Sequence, residues 1–380
     1  MVAAHIDGYS QQMTKKALFL GNSYTAYNSL PNLVENIANS LGDSLIHDRN
    51  TPGGQTMAGH ASNVTSLNKI ASQEWDYVVL QSQSQEPSFP PSQVANDVFP
   101  YAERLTDSIR NNTSCGTPLF FMTWGRKNGD ASNCAAYPPI CTYEGMQQRL
   151  RESYMEMAST NQGRVSPVGV AWKRVREEYP EIELYTQDES HPSYAGSYLA
   201  ASVFYSSIFQ KSCEASGFIG SLDSITASRL RTIASETVLD SLGLWGFLEA
   251  EVILDSTFLN YAYLTASYSN ADSIAWDFGD PFVGSSSDSL VTAEYLVEGE
   301  YTVTLSVYDR LNCESKSADT IVQIQLPSSI DIELVSRFGQ VVLRTDVLGR
   351  KIDNLDSLNM GQYFIEWDNM GNKRLRYKGY

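Results

Sequence analysis

The chain has 380 residues, 42% of them hydrophobic and 19% charged, with 25 Gly and 14 Pro. This is globular composition at a length for roughly two or three domains, and it excludes a disordered, collagenous or coiled-coil protein. Basic side chains number 27 against 44 acidic ones, a formal net charge of −17, which opposes any non-specific grip on nucleic-acid phosphates or an anionic bilayer.

The charge is unevenly spread. Residues 1–250 carry 25 acids and 17 bases (−8), residues 251–326 carry 12 and 2 (−10), and residues 327–380 carry 7 and 8 (+1). Three compositional pieces follow. No stretch approaches the roughly 18 apolar residues that span a bilayer, and Met1 to Lys16 hold no apolar core of signal-peptide length. The chain is either cytoplasmic or the trimmed, mature start of an exported protein.

In chain order, Lys16–Leu20 reads as a buried strand, followed at once by Gly21-Asn22-Ser23-Tyr24, and Ser29-Leu-Pro31 opens an amphipathic helix through Leu41. Ser44–Ile46 leads into the turn-rich Asn50–Gly54, a polar helical stretch precedes Trp75, and Trp75–Leu80 is the next strand. A helix over 92–110, a strand over Pro118–Met122, a helix over Tyr143–Thr160 and a strand-like 165–170 continue the alternation. Helices running to Phe209 and over about 226–239 close this part. Such alternation predicts an α/β doubly wound parallel sheet, with functional residues on the loops beyond the strand C-termini.

Four histidines occur: His5, His47, His60 and His191. A hydroxyl nucleophile needs a base that titrates near neutrality, so these carry the chemical interest. His191 follows Asp188 by three positions, close enough for the carboxylate to receive its Nδ1–H; the alternative is a structural histidine. Cys134 and Cys141, with six residues between them, either close a short disulfide or remain thiols, and of Cys115, Cys213 and Cys313 at least one stays unpaired.

Gly21-Asn22-Ser23-Tyr24 after the first strand, Gly54-Gln55-Thr56 after the second, Gln81-Ser82-Gln83-Ser84 after the third, and Asp188-Glu-Ser-His191 near the end resemble, in order and spacing, the blocks of the SGNH (GDSL-type) hydrolases. The resemblance implies a flavodoxin-like SGNH fold with a parallel central sheet. It also implies Ser23 as nucleophile, His191 as base, Asp188 as its orienting carboxylate, and an oxyanion hole of Ser23, Gly54 and Gln83. Two positions depart from the family pattern: Asn22 replaces the first-block Asp, and Gln83 the third-block Asn. The alternative for Gln83 is a strand-end cap. Trp124-Gly-Arg126, after the fourth strand, suits a wall that stacks on a sugar and hydrogen-bonds its hydroxyls, with Tyr24, Tyr27 and Gln55 on the rim; the alternative for Trp124 is packing beneath a surface loop.

Beyond about Glu251 the pattern becomes short alternating segments. Trp276-Asp-Phe-Gly-Asp280 and Tyr295-x3-Gly299-Glu-Tyr301 through Val307 look like a PKD domain, an Ig-like β-sandwich. Asp346-Val-Leu-Gly-Arg350, Gly361-Gln-Tyr363 and the basic end through Lys378 are similar to a Bacteroidetes type IX secretion sorting domain, a small C-terminal β-domain. The expected layout is an extension over 1–14, the hydrolase over 15–248, the sandwich over 249–326 and the sorting-like piece over 327–380.

The leading expectation is a secreted or cell-surface serine esterase that removes short acyl groups, chiefly acetyl, from carbohydrate. Its alternatives are a lipase or lysophospholipase of the same family and a glycan-binding surface protein with weakened catalysis. No cofactor and no metal are expected; the expected partners are a small-molecule or polysaccharide ester and, through the C-terminal piece, secretion machinery.

Overall fold

A computed structural model describes residues 12–325, 341–346, 351–352, 363–368 and 373–377. The first 11 residues, with His5, the 326–327 boundary, and the sorting-like positions Gly349, Arg350, Gly361 and Lys378 lie outside the described residues. By packing, the chain divides into two compact units: Met1–Glu249 with Asp309–Glu314, and Ala250–Tyr308 with Ser315–Tyr380.

The first unit runs β1 (Thr14–Leu20), α1 (Ser23–Ala26), α2 (Leu30–Ser40), β2 (Ser44–Asn50), α3 (Met57–Ser62), α4 (Val64–Ile70), β3 (Tyr77–Leu80), α5 (Pro91–Asp97), α6 (Phe99–Asn112), β4 (Thr117–Phe121), α7 (Tyr143–Thr160), β5 (Arg164–Ser166), α8 (Val168–Glu178), α9 (Tyr194–Phe209) and α10 (Ser224–Leu239). The five strands form one sheet in the order β2-β1-β3-β4-β5, with all four pairings parallel. This is the flavodoxin-like order, whose switch point lies between β1 and β3. Strands covered on both faces read as unbroken apolar runs. Accordingly Ala17–Leu20, Tyr77–Leu80 and Leu119–Phe121 are all buried. Helix α9 is buried on every side from Ala195 to Phe209, as an all-round apolar helix must be.

Two elements differ from the expected pattern. The helix expected over 92–110 is two, α5 and α6, broken at Val98 because Pro100 sits in the first turn of α6 and cannot continue an existing ladder. The strand-like 165–170 is strand only to Ser166; Pro167 ends it and α8 starts at Val168.

In the second unit, β6 (Glu249–Phe258), β7 (Tyr261–Ser269) and β9 (Leu290–Glu294) form one three-stranded sheet, and β8 (Ser273–Asp277), β10 (Gly299–Asp309) and β11 (Glu314–Ile324) a second. Alternation buries Ala262, Leu264 and Ala266 of β7 and Val303, Leu305 and Val307 of β10. A third sheet holds β12 (Val341–Asp346), β13 (Tyr363–Asp368) and β14 (Lys373–Tyr377), paired antiparallel.

Candidate active site

The first strand delivers Gly21, Asn22 and Ser23 to the switch point, where α1 begins. Gly21 is required by space: a Cβ there would meet Thr25 Oγ1 at 2.4 Å and Gln81 Oε1 at 2.6 Å. Asn22, 2% exposed, caps α1 by accepting from Tyr24 N at 3.1 Å. Its amide donates to Gln55 O (3.0 Å) and Ser82 O (3.3 Å). Gln81, fully buried at the end of β3, closes the network: its Nε2 donates to Asn22 Oδ1 (2.7 Å), while its Oε1 accepts from Asn22 N (3.0 Å) and Thr25 Oγ1 (2.8 Å). A carboxylate at 22 has no hydrogens for the two carbonyls, so asparagine is the residue this turn demands.

Behind the same turn lies His60, fully buried. Its Nε2 donates to Gly21 O at 2.9 Å, and its Nδ1 faces Ser66 Oγ at 2.8 Å. Ser66 is in turn held by Asn50 Nδ2 (2.9 Å), and Gly21 N donates to Asn50 O (3.1 Å). Burial lowers the pKa of His60 from its ordinary value, against the opposing effect of the Gly21 carbonyl, so the ring is neutral and structural.

Ser23, Asp188 and His191 come together. His191 Nε2 lies 2.8 Å from Ser23 Oγ, and His191 Nδ1 lies 2.5 Å from Asp188 Oδ2. With Nδ1 protonated towards the carboxylate, Nε2 is left to accept the serine proton. The other oxygen of Asp188 accepts from His191 N (2.9 Å), Ser190 N (3.0 Å) and Thr186 Oγ1 (2.8 Å). Burial works against the charge on Asp188, yet these donors, the His191 imidazole foremost, hold it well below the usual carboxylate range.

The expected oxyanion donors are unequal. No described residue accepts from Ser23 N–H, at the first position of α1, where the Asn22 carbonyl accepts from Thr25 N and Ala26 N and the Ser23 carbonyl from Tyr27 N. Gly54 is exposed and in the left-handed region, φ 68°. Gln83 takes the capping arrangement instead of presenting a free amide. Its Oε1 accepts from Gln85 N (2.7 Å) and Glu86 N (3.2 Å), and its Nε2 donates to Gln85 Oε1 (3.1 Å) and Ser84 Oγ (3.5 Å). The added methylene lets the carboxamide fold back on its own turn.

Trp124 corrects the sugar-wall expectation. It is fully buried, with Tyr24 stacked at 4.6 Å on the ring system and Trp172 at 3.9 Å, so neither face is open. Its Nε1 donates to Ser190 O at 3.0 Å. Lys127 N donates to Glu189 O (2.9 Å) and Asn128 Nδ2 to Glu189 Oε2 (2.8 Å). The loop after β4 therefore clamps the Asp188–His191 loop, where Glu189 adopts φ 60°. Tyr24 is also buried, its hydroxyl 2.6 Å from Ser190 Oγ, which takes it off the rim. Arg126 is half-buried and meets Asp130 at 3.4 Å. Gln55 is half-buried beside Gly59, and Tyr27 lies over His191.

Cys134 and Cys141 are disulfide-bonded, as are Cys115 and Cys313; Cys213 is free and buried. The second bridge joins positions 198 apart, a pairing no local spacing signals. Among the described residues no group of three or more His, Cys, Asp and Glu gathers to hold a metal, and no helix is long and apolar enough to cross a membrane. His60 and Gln81 are the site residues that sequence reasoning missed. The signal for Gln81 was a carboxamide ending an apolar strand, whereas His60 reaches Gly21 across 39 positions without any local pattern.

No family model matches the chain, and no curated protein matches it. Solved structures do. A DUF4886 family protein from Bacteroides uniformis is similar at 17% identity and a TM-score of 0.52, over 60% of this chain and 95% of its own. It shares the α/β fold described above. Similar structures also include a candidate SGNH hydrolase from Slackia heliotrinireducens, at 25% identity and a TM-score of 0.41 over 50% of this chain and 97% of its own. The PKD1 domain of Vibrio anguillarum Epp matches at 26% identity and a TM-score of 0.19, over 21% of this chain and 95% of its own.

Proposed function

We propose that the chain is a serine ester hydrolase that cleaves short-chain acyl esters, with acetylated carbohydrate as its substrate class. The observation that carries the reading is the unbroken chain from Ser23 Oγ through His191 to Asp188, at 2.8 and 2.5 Å. Ser23 Oγ attacks the ester carbonyl as His191 Nε2 takes its proton; the tetrahedral intermediate collapses as the same proton passes to the leaving alcohol, and water repeats the cycle on the acyl-serine. Asp188, already ionised, stabilises the imidazolium. The Ser23 and Gly54 N–H groups receive the oxyanion, and Gln83 joins them when its Nε2 leaves Gln85.

The sugar preference loses Trp124 and rests on the polar loops after β2, β3 and β4, which bring Gln55, Gln83, Gln85 and Arg126 to the same end of the sheet. Two disulfides support an oxidising location, hence a secreted or surface protein. A sorting role for the C-terminal sheet, with secretion machinery as partner, belongs to the same proposal. The folded-back Gln83 favours one second reading, a glycan-binding protein with weakened catalysis.

Hydrolysis of acetyl, butyryl and long-chain aryl esters and of acetylated xylan, by the parent and by Ser23→Ala, separates these. The proposal expects acetyl turnover that Ser23→Ala abolishes; a preference for long chains supports a lipase, and an inactive parent supports the binding protein. Because Asp188 stays charged far below neutrality, it holds the His191 Nδ1–H throughout the neutral range, and Asp188→Asn should lower kcat about 10³- to 10⁴-fold by allowing the wrong tautomer. An unchanged kcat in that variant contradicts the role of His191.

A further inference from the structure

The His191 ring is covered on one face. Tyr27 stacks on it with ring centroids 4.5 Å apart and planes at 18°, while Tyr24 meets it edge-on at 5.4 Å. The Tyr27 turn is held there against its own backbone preference. Asn28 and Ser29 are consecutive non-glycine residues in the left-handed region, φ 52° and 53°, a conformation that persists only where its surroundings over-determine it. The fastener is Asn28, whose Nδ2 donates to Ser193 O (3.2 Å) and Ser197 Oγ (2.9 Å). Both acceptors belong to the segment that leaves His191 and opens α9, so one side chain fixes the Tyr27 ring to the part of the chain that carries the base.

We infer that Tyr27 is a positioning residue that lays its ring face on His191 and stabilises the imidazolium formed during acyl transfer. The inference rests on reading Ser23, His191 and Asp188 as the catalytic triad. An aromatic face is electron-rich and attracts a cation above it, weakly at an exposed site and more strongly when water is excluded. Tyr27 is 39% exposed, so the modest end of that range applies. The charge on His191 exists only after Ser23 gives up its proton, so the contact strengthens in the transition state and belongs in kcat, not in KM.

The charged and titratable groups on the His191 loop and on the elements beside it have partners other than Tyr27. From its own loop come Asp188 and Glu189, the latter bonded to Asn128. From α1 come the Ser23 hydroxyl and the Tyr24 phenol, the latter held by Ser190. The loop after β4 brings Arg126, beside Asp130, and Lys127, paired with Glu183. Helix α9 brings Tyr194, whose hydroxyl is turned to Gly220.

The test compares Tyr27→Leu, which keeps an apolar cover without a π face, with Tyr27→Phe, which keeps the face. Thermal melts establish that both are folded. Tyr27→Leu should lower kcat about two- to fivefold with KM within about twofold, and Tyr27→Phe should recover most of that loss. In parallel, NMR titration of the His191 ring, assigned with His191→Asn, should show its midpoint lower in Tyr27→Leu than in the parent, and restored in Tyr27→Phe. Equal midpoints in the parent and Tyr27→Leu overturn the inference, as does a raised KM at unchanged kcat, which would make Tyr27 a substrate wall. A lowered midpoint in a chain that hydrolyses no ester would instead uphold the stacking and remove the triad reading beneath it.

Discussion

At the scale of the residue, the departures from the family-like pattern have different consequences. Asn22 is fixed by its environment: replacing it with Asp sets a buried carboxylate against the carbonyls of Gln55 and Ser82. Asn22→Asp should therefore cost about 1–3 kcal/mol in denaturant unfolding and lower kcat with it. Gln83 is engaged with its own turn, so Gln83→Ala should slow the reaction by less than the roughly hundredfold expected for removing a preformed oxyanion donor. A full hundredfold loss would mean that leaving its turn costs the amide nothing. His60 gives a pH signature. Its folded-state pKa lies below the ordinary 6.5, so below that value the unfolded chain takes up a proton that the folded one resists. Stability should fall as pH drops from 7 to about 5, and the fall should be shallower in His60→Gln by thermal melts across that range.

At the scale of the element, the parallel sheet was legible because its three central strands, β1, β3 and β4, are apolar on both faces and alternate with helical stretches. Ser23, Asp188 and His191 were legible as a group through the resemblance of the Gly21–Tyr24 and Asp188–His191 blocks to those of the SGNH hydrolases, since the three-position spacing of Asp188 and His191 alone left a structural histidine open. The role of the loop after β4 was not, because a tryptophan beside an arginine looks the same in sequence whether it faces solvent or the core. Here Trp124 lies between Tyr24 and Trp172 and fastens Ser190. Trp124→Leu should accordingly cost about 3 kcal/mol of stability and lower kcat by loosening the His191 loop. A sugar-stacking residue would behave oppositely, with stability unchanged and KM raised on acetylated xylan alone.

At the scale of the whole molecule, the first compact unit is discontinuous in sequence. It takes in Asp309–Glu314, where Asp309 and Glu314 pair with the buried Arg164 at 2.5 and 3.0 Å and Cys313 is bonded to Cys115. None of these three pairings was legible, since they span 145, 150 and 198 positions. A fragment ending at residue 249 would strand Arg164 as a buried cation, a loss of the order of 3–5 kcal/mol. Its melting temperature should lie well below that of the same unit in the full chain, and equal values would show that the segment contributes nothing. The account as a whole stands on Ser23 as an activated nucleophile, and the most direct measurement is covalent trapping by an alkyl fluorophosphonate, followed by peptide mass spectrometry. The account predicts one phosphonyl group on the peptide that carries Ser23, lost in Ser23→Ala and slowed in His191→Asn. An unlabelled Ser23 in a chain that still turns over acetyl esters would contradict it.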